Sequence, residues 1–260
     1  MVLCVAMVVK GRTVQNCEIC TKKNLWTTTP YYEDGRRWWQ CRNCGHDQLE
    51  VPAQGLQIPA KVVYIDIETA MMKVYAYDLY VPSKRIAKDM IAQNSFVICW
   101  SAAWLDENHE IKRMVSRKLE PNEARKQNDK RIVSEIHEIL DSADVIVGHN
   151  SNNFDLKVLN WRFLLHGLPF PDENKKKIDT YRLSGKTRPP SRGLEPLSVA
   201  LGGNPKKGLD RAEWIEIVEK GTPKLLAKAN RYCRGDVREG VGLFQHYAAA
   251  IEASGKRLYR

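Results

Sequence analysis

The segment Lys61-Val-Val-Tyr-Ile-Asp-Ile-Glu-Thr69 constrains this chain more than any other, because it sets two acids inside an apolar run. Residues 61–68 read as a buried strand. Alternate side chains of a strand share a face, so Asp66 and Glu68 project together while Ile65 and Ile67 project oppositely. Two carboxylates this close repel each other unless a cation neutralises them, and oxygen-only donors select hard ions such as Mg²⁺ or Mn²⁺. The bland alternative is that Glu68 lies beyond the strand end and both acids are solvated.

The pattern that follows fits a sheet with helices on its faces. Residues 96–105 and 110–116 read as two strands joined by a turn at Asp106-Glu107-Asn108-His109, hence a hairpin. Ile132, Val133, Ile136, Ile139 and Leu140 recur at helical spacing, residues 144–148 form a short apolar strand, and residues 155–166 read as a helix stopped by Gly167. A long helix over residues 223–253 closes the pattern. This order implies an α/β domain whose mixed sheet is antiparallel at first and gains a parallel strand through a helical crossover. Composition shifts at residues 51–60, which carry two prolines and a glycine, so a linker is placed there, dividing residues 1–56 from 57–260.

The first part has few aliphatic residues after Val14 and needs a staple to fold. Cys17-x2-Cys20 and Cys41-x2-Cys44 are separated by twenty residues, the spacing at which two thiolate knuckles close one tetrahedral Zn²⁺ site. The expectation is a small zinc ribbon with one structural Zn²⁺. His46 is a conceivable substitute ligand, and a redox pair is the alternative, without a thioredoxin-like pattern around it. Cys4, Cys99 and Cys233 lack such spacing and read as ordinary buried cysteines. Trp26, Tyr31, Tyr32, Arg36, Arg37, Trp38 and Trp39 mix rings and cations as single-strand binders do, although a ribbon that docks on a protein partner fits them equally.

Two further acids stand out. Asp155 ends the run Asn150-Ser-Asn-Asn-Phe-Asp155, where a strand gives way to a helix; by itself it reads as a helix cap. Tyr232 and Asp236 lie four apart, so they meet on one face of the final helix. They flank a core stripe through Leu226, Ala229, Cys233, Val237 and Phe244, and alone they read as a surface pair. Asp144 and Asp179 are taken as structural.

Taken together, the Asp-Ile-Glu-Thr segment at Asp66 and Glu68, Asn150 with Phe154-Asp155, and Tyr232-x3-Asp236 resemble the motifs of DnaQ-like exonucleases of the DEDD class, over residues 61–244. Arg231 occupies the place where the other subgroup has histidine, so the tyrosine subgroup is favoured, which includes the proofreading domains of family B polymerases. The resemblance implies a ribonuclease-H-like fold and 3′–5′ hydrolysis of nucleic-acid ends. It also implies that Asp66, Glu68, Asp155 and Asp236 hold two Mg²⁺ or Mn²⁺ ions, that Tyr232 orients water, and that Asn150 positions the chain near the scissile phosphate. Gly235 and the Pro/Gly-rich stretch 188–208 depart from the pattern.

A formal charge of +10 and a pI near 9.2 favour a polyanionic partner. The expected partner is nucleic acid, DNA in preference to RNA, single-stranded or unwound at its ends. The basic run Lys175, Lys176 and Lys177, with Arg182, Lys186, Arg188 and Arg192, is the candidate for tracking a phosphate backbone; a solvated loop is its alternative. Trp100 and Trp104 read as core. No stretch approaches the roughly 20 apolar residues that cross a bilayer, and residues 1–9 make a poor signal peptide. With seven cysteines, four of them in knuckles, the expected compartment is the cytoplasm, a host's if the chain is viral. Competing readings are a non-catalytic nucleic-acid or partner-binding module, an RNA-directed exonuclease and a structure-selective endonuclease on the same fold.

Overall fold

The computed structural model describes residues 60–76, 86–171, 173–203, 205, 208–255 and 258 in full, and residues 40–44 of the N-terminal part. For residues 7–9, 12–14, 31–33, 36–39 and 47–49 it describes the backbone. The chain divides into two units, Met1–Ile58 and Pro59–Arg260.

In the first unit, β1 (Met7–Val9) and β2 (Arg12–Val14) form an antiparallel pair. β3 (Tyr31–Glu33), β4 (Arg36–Gln40) and β5 (Asp47–Leu49) form a three-stranded antiparallel sheet with β4 at its centre. Cys41 directly follows β4 and is buried, while Cys44 is exposed. Cys17 and Cys20 lie outside the described residues, as does the expected linker apart from Ala60.

The second unit begins with β6 (Val62–Thr69), followed by β7 (Lys73–Val74), β8 (Ile91–Gln93), β9 (Val97–Leu105) and β10 (Ile111–Lys118). Next come α1 (Pro121–Arg125), α2 (Lys130–Ser142), β11 (Val145–Gly148), α3 (Asp155–Leu165), β12 (Lys176–Asp179) and α4 (Thr180–Ser184). The unit closes with α5 (Leu194–Ala200), α6 (Arg211–Lys220) and α7 (Pro223–Glu252). Five strands form one sheet in the order β10-β9-β6-β11-β12. β6, β9 and β10 pair antiparallel, whereas β11 lies parallel to β6 and β12 parallel to β11. The antiparallel pair β9–β10 needs only the tight Asp106–His109 turn, while each parallel pair needs a crossover, supplied here by α2 and α3.

Alternation sorts the strand residues between two faces. Val63, Ile65 and Ile67 of β6, with Trp100 and Ala102 of β9, pack against Ile132, Ile136 and Leu140 of α2 and Leu156, Leu159 and Phe163 of α3. Trp100 is fully buried, and its indole N–H donates to the Ile132 carbonyl at 2.7 Å, tying α2 to the central strand. Trp104 is partly buried against the same core. On the opposite face Val62, Tyr64, Ala103, Leu105 and Val147 meet Val237, Val241 and Phe244 of α7. Fully burying each such aliphatic chain contributes about 1.5–3 kcal/mol, which fixes helix and strand in one register. At Gly240 the approach is close: a Cβ there would fall within the Tyr64 ring, so only glycine fits.

Candidate active site

The face of β6 that holds Tyr64 continues to Asp66 and Glu68, and α7 covers it. α7 starts with Pro223 at its first turn, a position where the missing N–H costs nothing. Its buried stripe runs through Leu226, Ala229, Cys233, Val237 and Phe244, which places Tyr232 and Asp236 on the flank toward β6. One carboxylate oxygen from each of Asp66, Glu68 and Asp236 lies within 4.8 Å of the others. A register shift between Glu68 and Thr69 in the β6–β9 pairing breaks the ladder here, and such irregularities re-aim side chains.

Asp155 arrives from the other side of the strand end. It opens α3, is buried, and its Oδ1 accepts the backbone N–H of Ile67 at 3.0 Å, between the two β6 acids. The turn that delivers it is built with care. Gly148 ends β11, where a Cβ would collide with Ser151, and Asn150 adopts a left-handed φ of 58°. Asp179, at the end of β12, accepts the N–H groups of Asn150 at 2.8 Å, Asn152 at 3.2 Å and Tyr181 at 2.9 Å. The Asn150 side chain accepts from Asn153 at 3.1 Å. Asp144 has a similar local task, accepting the Lys61 N–H at 2.8 Å where β6 begins.

The electrostatics of the cluster are unfavourable without a counter-charge. Burial pushes the Asp66 carboxyl well above the usual range, and the charges of Asp155, Glu68 and Asp236 push it further. Its Oδ2 is buried and, among the described residues, has no hydrogen-bond partner. Asp155 is raised to about 7, mainly by burial, against which hydrogen bonds from its own N–H and from that of Ile67 act. A set of oxygen donors with one orphaned carboxylate oxygen fits a hard divalent cation, which would satisfy that oxygen and offset the repulsion. Tyr232 is half-buried, and burial followed by the charges of Asp236, Glu68 and Asp66 raises its pKa, so the phenol keeps its proton.

Sequence reasoning passed over several neighbours. Glu195 of α5 adds its charge at Tyr232, and the Tyr232 ring lies against Gly208. Cys99 and Cys233 are fully buried beneath the acids, where burial raises both thiols, and the Cys233 thiol donates to the Asp66 carbonyl at 3.3 Å. His149 bridges Thr180 at 2.9 Å and the Arg192 carbonyl at 3.0 Å, clamping the 185–193 segment onto the Asn150 turn.

The basic run is placed elsewhere. Lys176 pairs with Val145, which pairs with Val62, so Lys175, Lys176 and Lys177 enter the sheet at the end away from Asp66. Four residues of strand separate those levels, roughly 13 Å. The Lys175 ammonium donates to the Asp141 and Ala143 carbonyls at the end of α2. Arg192 donates to Ser184 and to the Tyr181 carbonyl, with its guanidinium over the Tyr181 ring.

The sequence profile of the RNase_H superfamily matches residues 87–248. The chain belongs to that superfamily. Its fold is shared with the family B DNA polymerase from the hyperthermophilic archaeon Pyrobaculum calidifontis, at a TM-score of 0.54 and 19% identity over 76% of this chain. The match spans 26% of the polymerase, so the likeness concerns one part of that protein. Exonuclease I of E. coli, solved with a dT13 oligonucleotide, aligns at a TM-score of 0.49 and 12% identity, covering 76% of this chain and 43% of that one. No curated protein matches the sequence. Among the described residues, no helix is long and apolar enough to cross a membrane.

Proposed function

We propose that this RNase_H superfamily member is a metal-dependent 3′–5′ exonuclease that hydrolyses DNA from single-stranded or unwound ends. The observation that carries the reading is the gathering of Asp66, Glu68 and Asp236 within 4.8 Å, with Asp155 bonded to the intervening strand residue. Asp66, Glu68, Asp155 and Asp236 would hold the Mg²⁺ or Mn²⁺ ions, two by resemblance to the DEDD class. Such ions lower the pKa of bound water and stabilise charge on a leaving oxygen.

The protein's own groups supply orientation. Tyr232, protonated at neutral pH, offers its hydroxyl as a donor beside Asp236 and orients the attacking water. Asp155 takes its place through the hydrogen bond that its Oδ1 accepts from the Ile67 N–H. Asn150, fixed in its turn by Asp179, positions the strand end near the scissile phosphate. The polarity and the tyrosine subgroup follow from the motif resemblance. Residues 1–56 form a zinc ribbon in this reading, closed by Cys17, Cys20, Cys41 and Cys44, and residues 57–260 form the nuclease domain.

End-labelled single-stranded DNA and RNA, digested with Mg²⁺ or Mn²⁺, test the proposal. The expected result is laddering toward the 5′ end on DNA, intact circular DNA, and a loss of about 10³-fold or more in Asp66→Ala and Asp236→Ala. Activity that survives both substitutions removes the site assignment; faster digestion of RNA reverses the substrate assignment. Elemental analysis of the full chain should find about one zinc, and a folded protein without it refutes the ribbon.

A further inference from the structure

Four clustered carboxylates repel a polyanion. A strand whose end reaches Asp66 brings its neighbouring phosphates past those acids, so the rim of the site has to supply positive charge. The lysines at 175–177 stand at the other end of the sheet. The cations that follow β12 do not.

β12 ends at Asp179, which pairs with Gly148, one residue past the Val147–Tyr64 pair. The strand end is therefore level with Ile65, next to the level of Asp66 and two strand spacings, roughly 10 Å, to its side. From there residues 180–194 run along the rim. α4 and α5, at the two ends of this stretch, both pack against α7, the helix that carries Tyr232 and Asp236. His149, the residue before Asn150, fastens the stretch through Thr180 and the Arg192 carbonyl.

Residues 180–194 contain Arg182, Lys186, Arg188 and Arg192 and no aspartate or glutamate. Arg192 serves inside the stretch, where it donates to Ser184 and lies over the Tyr181 ring. Arg182, Lys186 and Arg188 are exposed, and among the described residues none of them has an ion-pair partner. Cations of β10 and α2 are treated differently: Arg117 pairs with Glu135, Lys118 with Glu120 and Arg131 with Glu123. A braced, acid-free stretch with three unpaired cations beside a carboxylate cluster fits the sugar-phosphate backbone of an unpaired strand. An acidic protein segment would meet the same cations, but the four carboxylates would repel it and it has no scissile phosphate to bring to them.

We infer that Arg182, Lys186 and Arg188 form the phosphate-binding rim of the site and hold the backbone of the unpaired strand next to the scissile bond. This inference rests on the nuclease reading and assigns a binding surface to it.

The test uses the full chain in EDTA, so that binding is read without cleavage, with labelled oligothymidylate and oligouridylate of about twelve nucleotides over a salt series. Lys186→Gln/Arg188→Gln should lower the slope of log K against log salt by about 1.4, the share of two phosphate contacts on a single strand, and weaken binding about tenfold at low salt. Lys186→Arg/Arg188→Lys should keep the wild-type slope. So should the charge-matched Lys112→Gln/Arg113→Gln, which alters β10 at the end of the sheet away from Asp66. With metal present, Lys186→Gln/Arg188→Gln should raise KM more than it lowers kcat. A wild-type slope in that variant, equal losses in both glutamine variants, or no binding by the wild type at low salt overturns the inference. Capture of oligoglutamate through Lys186 and Arg188, with oligonucleotide binding indifferent to them, also overturns it and assigns the rim to an acidic protein. The two ideas fail separately. A protein that binds through Lys186 and Arg188 yet cleaves nothing loses the nuclease reading alone, and one that cleaves with a slope indifferent to them loses this inference alone.

Discussion

Two acids of the same domain, the buried Asp129 and the half-buried Asp66, are treated in opposite ways. Asp129 is fully buried and accepts the Val97 N–H at 2.9 Å, the Arg162 guanidinium at 2.5 Å and the His166 ring at 2.7 Å. Asp66 faces three other carboxylates, and among the described residues one of its oxygens has no donor. A carboxylate whose task is structural is surrounded by hydrogen-bond donors; one reserved for a ligand is kept short of them. The contrast in hydrogen-bond partners separates the two roles.

The largest effect that can break this comparison is on stability. Asp129→Asn leaves the buried Arg162 without its counter-charge and should cost about 3–5 kcal/mol, a fall of roughly 10 °C in Tm. Asp66→Asn should instead raise the Tm of the metal-free protein at pH 8, because it relieves burial and like-charge repulsion at once. Thermal melts of both variants decide it: a shared destabilisation would erase the distinction.

A smaller effect sharpens it. In the folded protein the Asp155 carboxyl titrates at about 7, against 3.8 for an unperturbed group. Between those values the folded state holds a proton that the unfolded chain has released, so this group's contribution favours folding at low pH and is lost as pH rises to about 7. The Tm difference between wild type and Asp155→Asn, followed in EDTA, should therefore turn against the wild type from pH 4 to 7. Saturating Mg²⁺ should reverse the trend, since an ion stabilises the deprotonated form. A pH-independent difference would place Asp155 among the well-served acids with Asp129.

The fold was legible where periodicity is strong. The apolar runs of β6, β9 and β11 and the helical stripes of α2, α3 and α7 fall within a residue or two of their expected bounds. β12 was missed because an edge strand that begins with two exposed lysines, Lys176 and Lys177, shows no apolar run. α6 was missed although Asp210 and Glu213 form a capping box, a local signal that its short apolar stripe did not reinforce. Strand alternation put Asp66 and Glu68 on one face, and four-residue spacing put Tyr232 beside Asp236. No sequence rule shows that Asp155 bonds to Ile67, a contact across 88 positions. The lysines at 175–177 show the converse hazard: charge can be counted along a sequence, but which end of a strand it occupies depends on the strand's direction in the sheet.

The missing side chain at Gly240 reaches further than its size suggests. Tyr64 lies two residues before Asp66 on one strand face, and Gly240 lies four residues after Asp236 on one helix face. The place where the ring nests against bare backbone therefore acts as an index mark between two rulers, setting which rung of α7 stands opposite which rung of β6. The spacing of the ligand oxygens is gauged one turn away from them, by an atom that is not there.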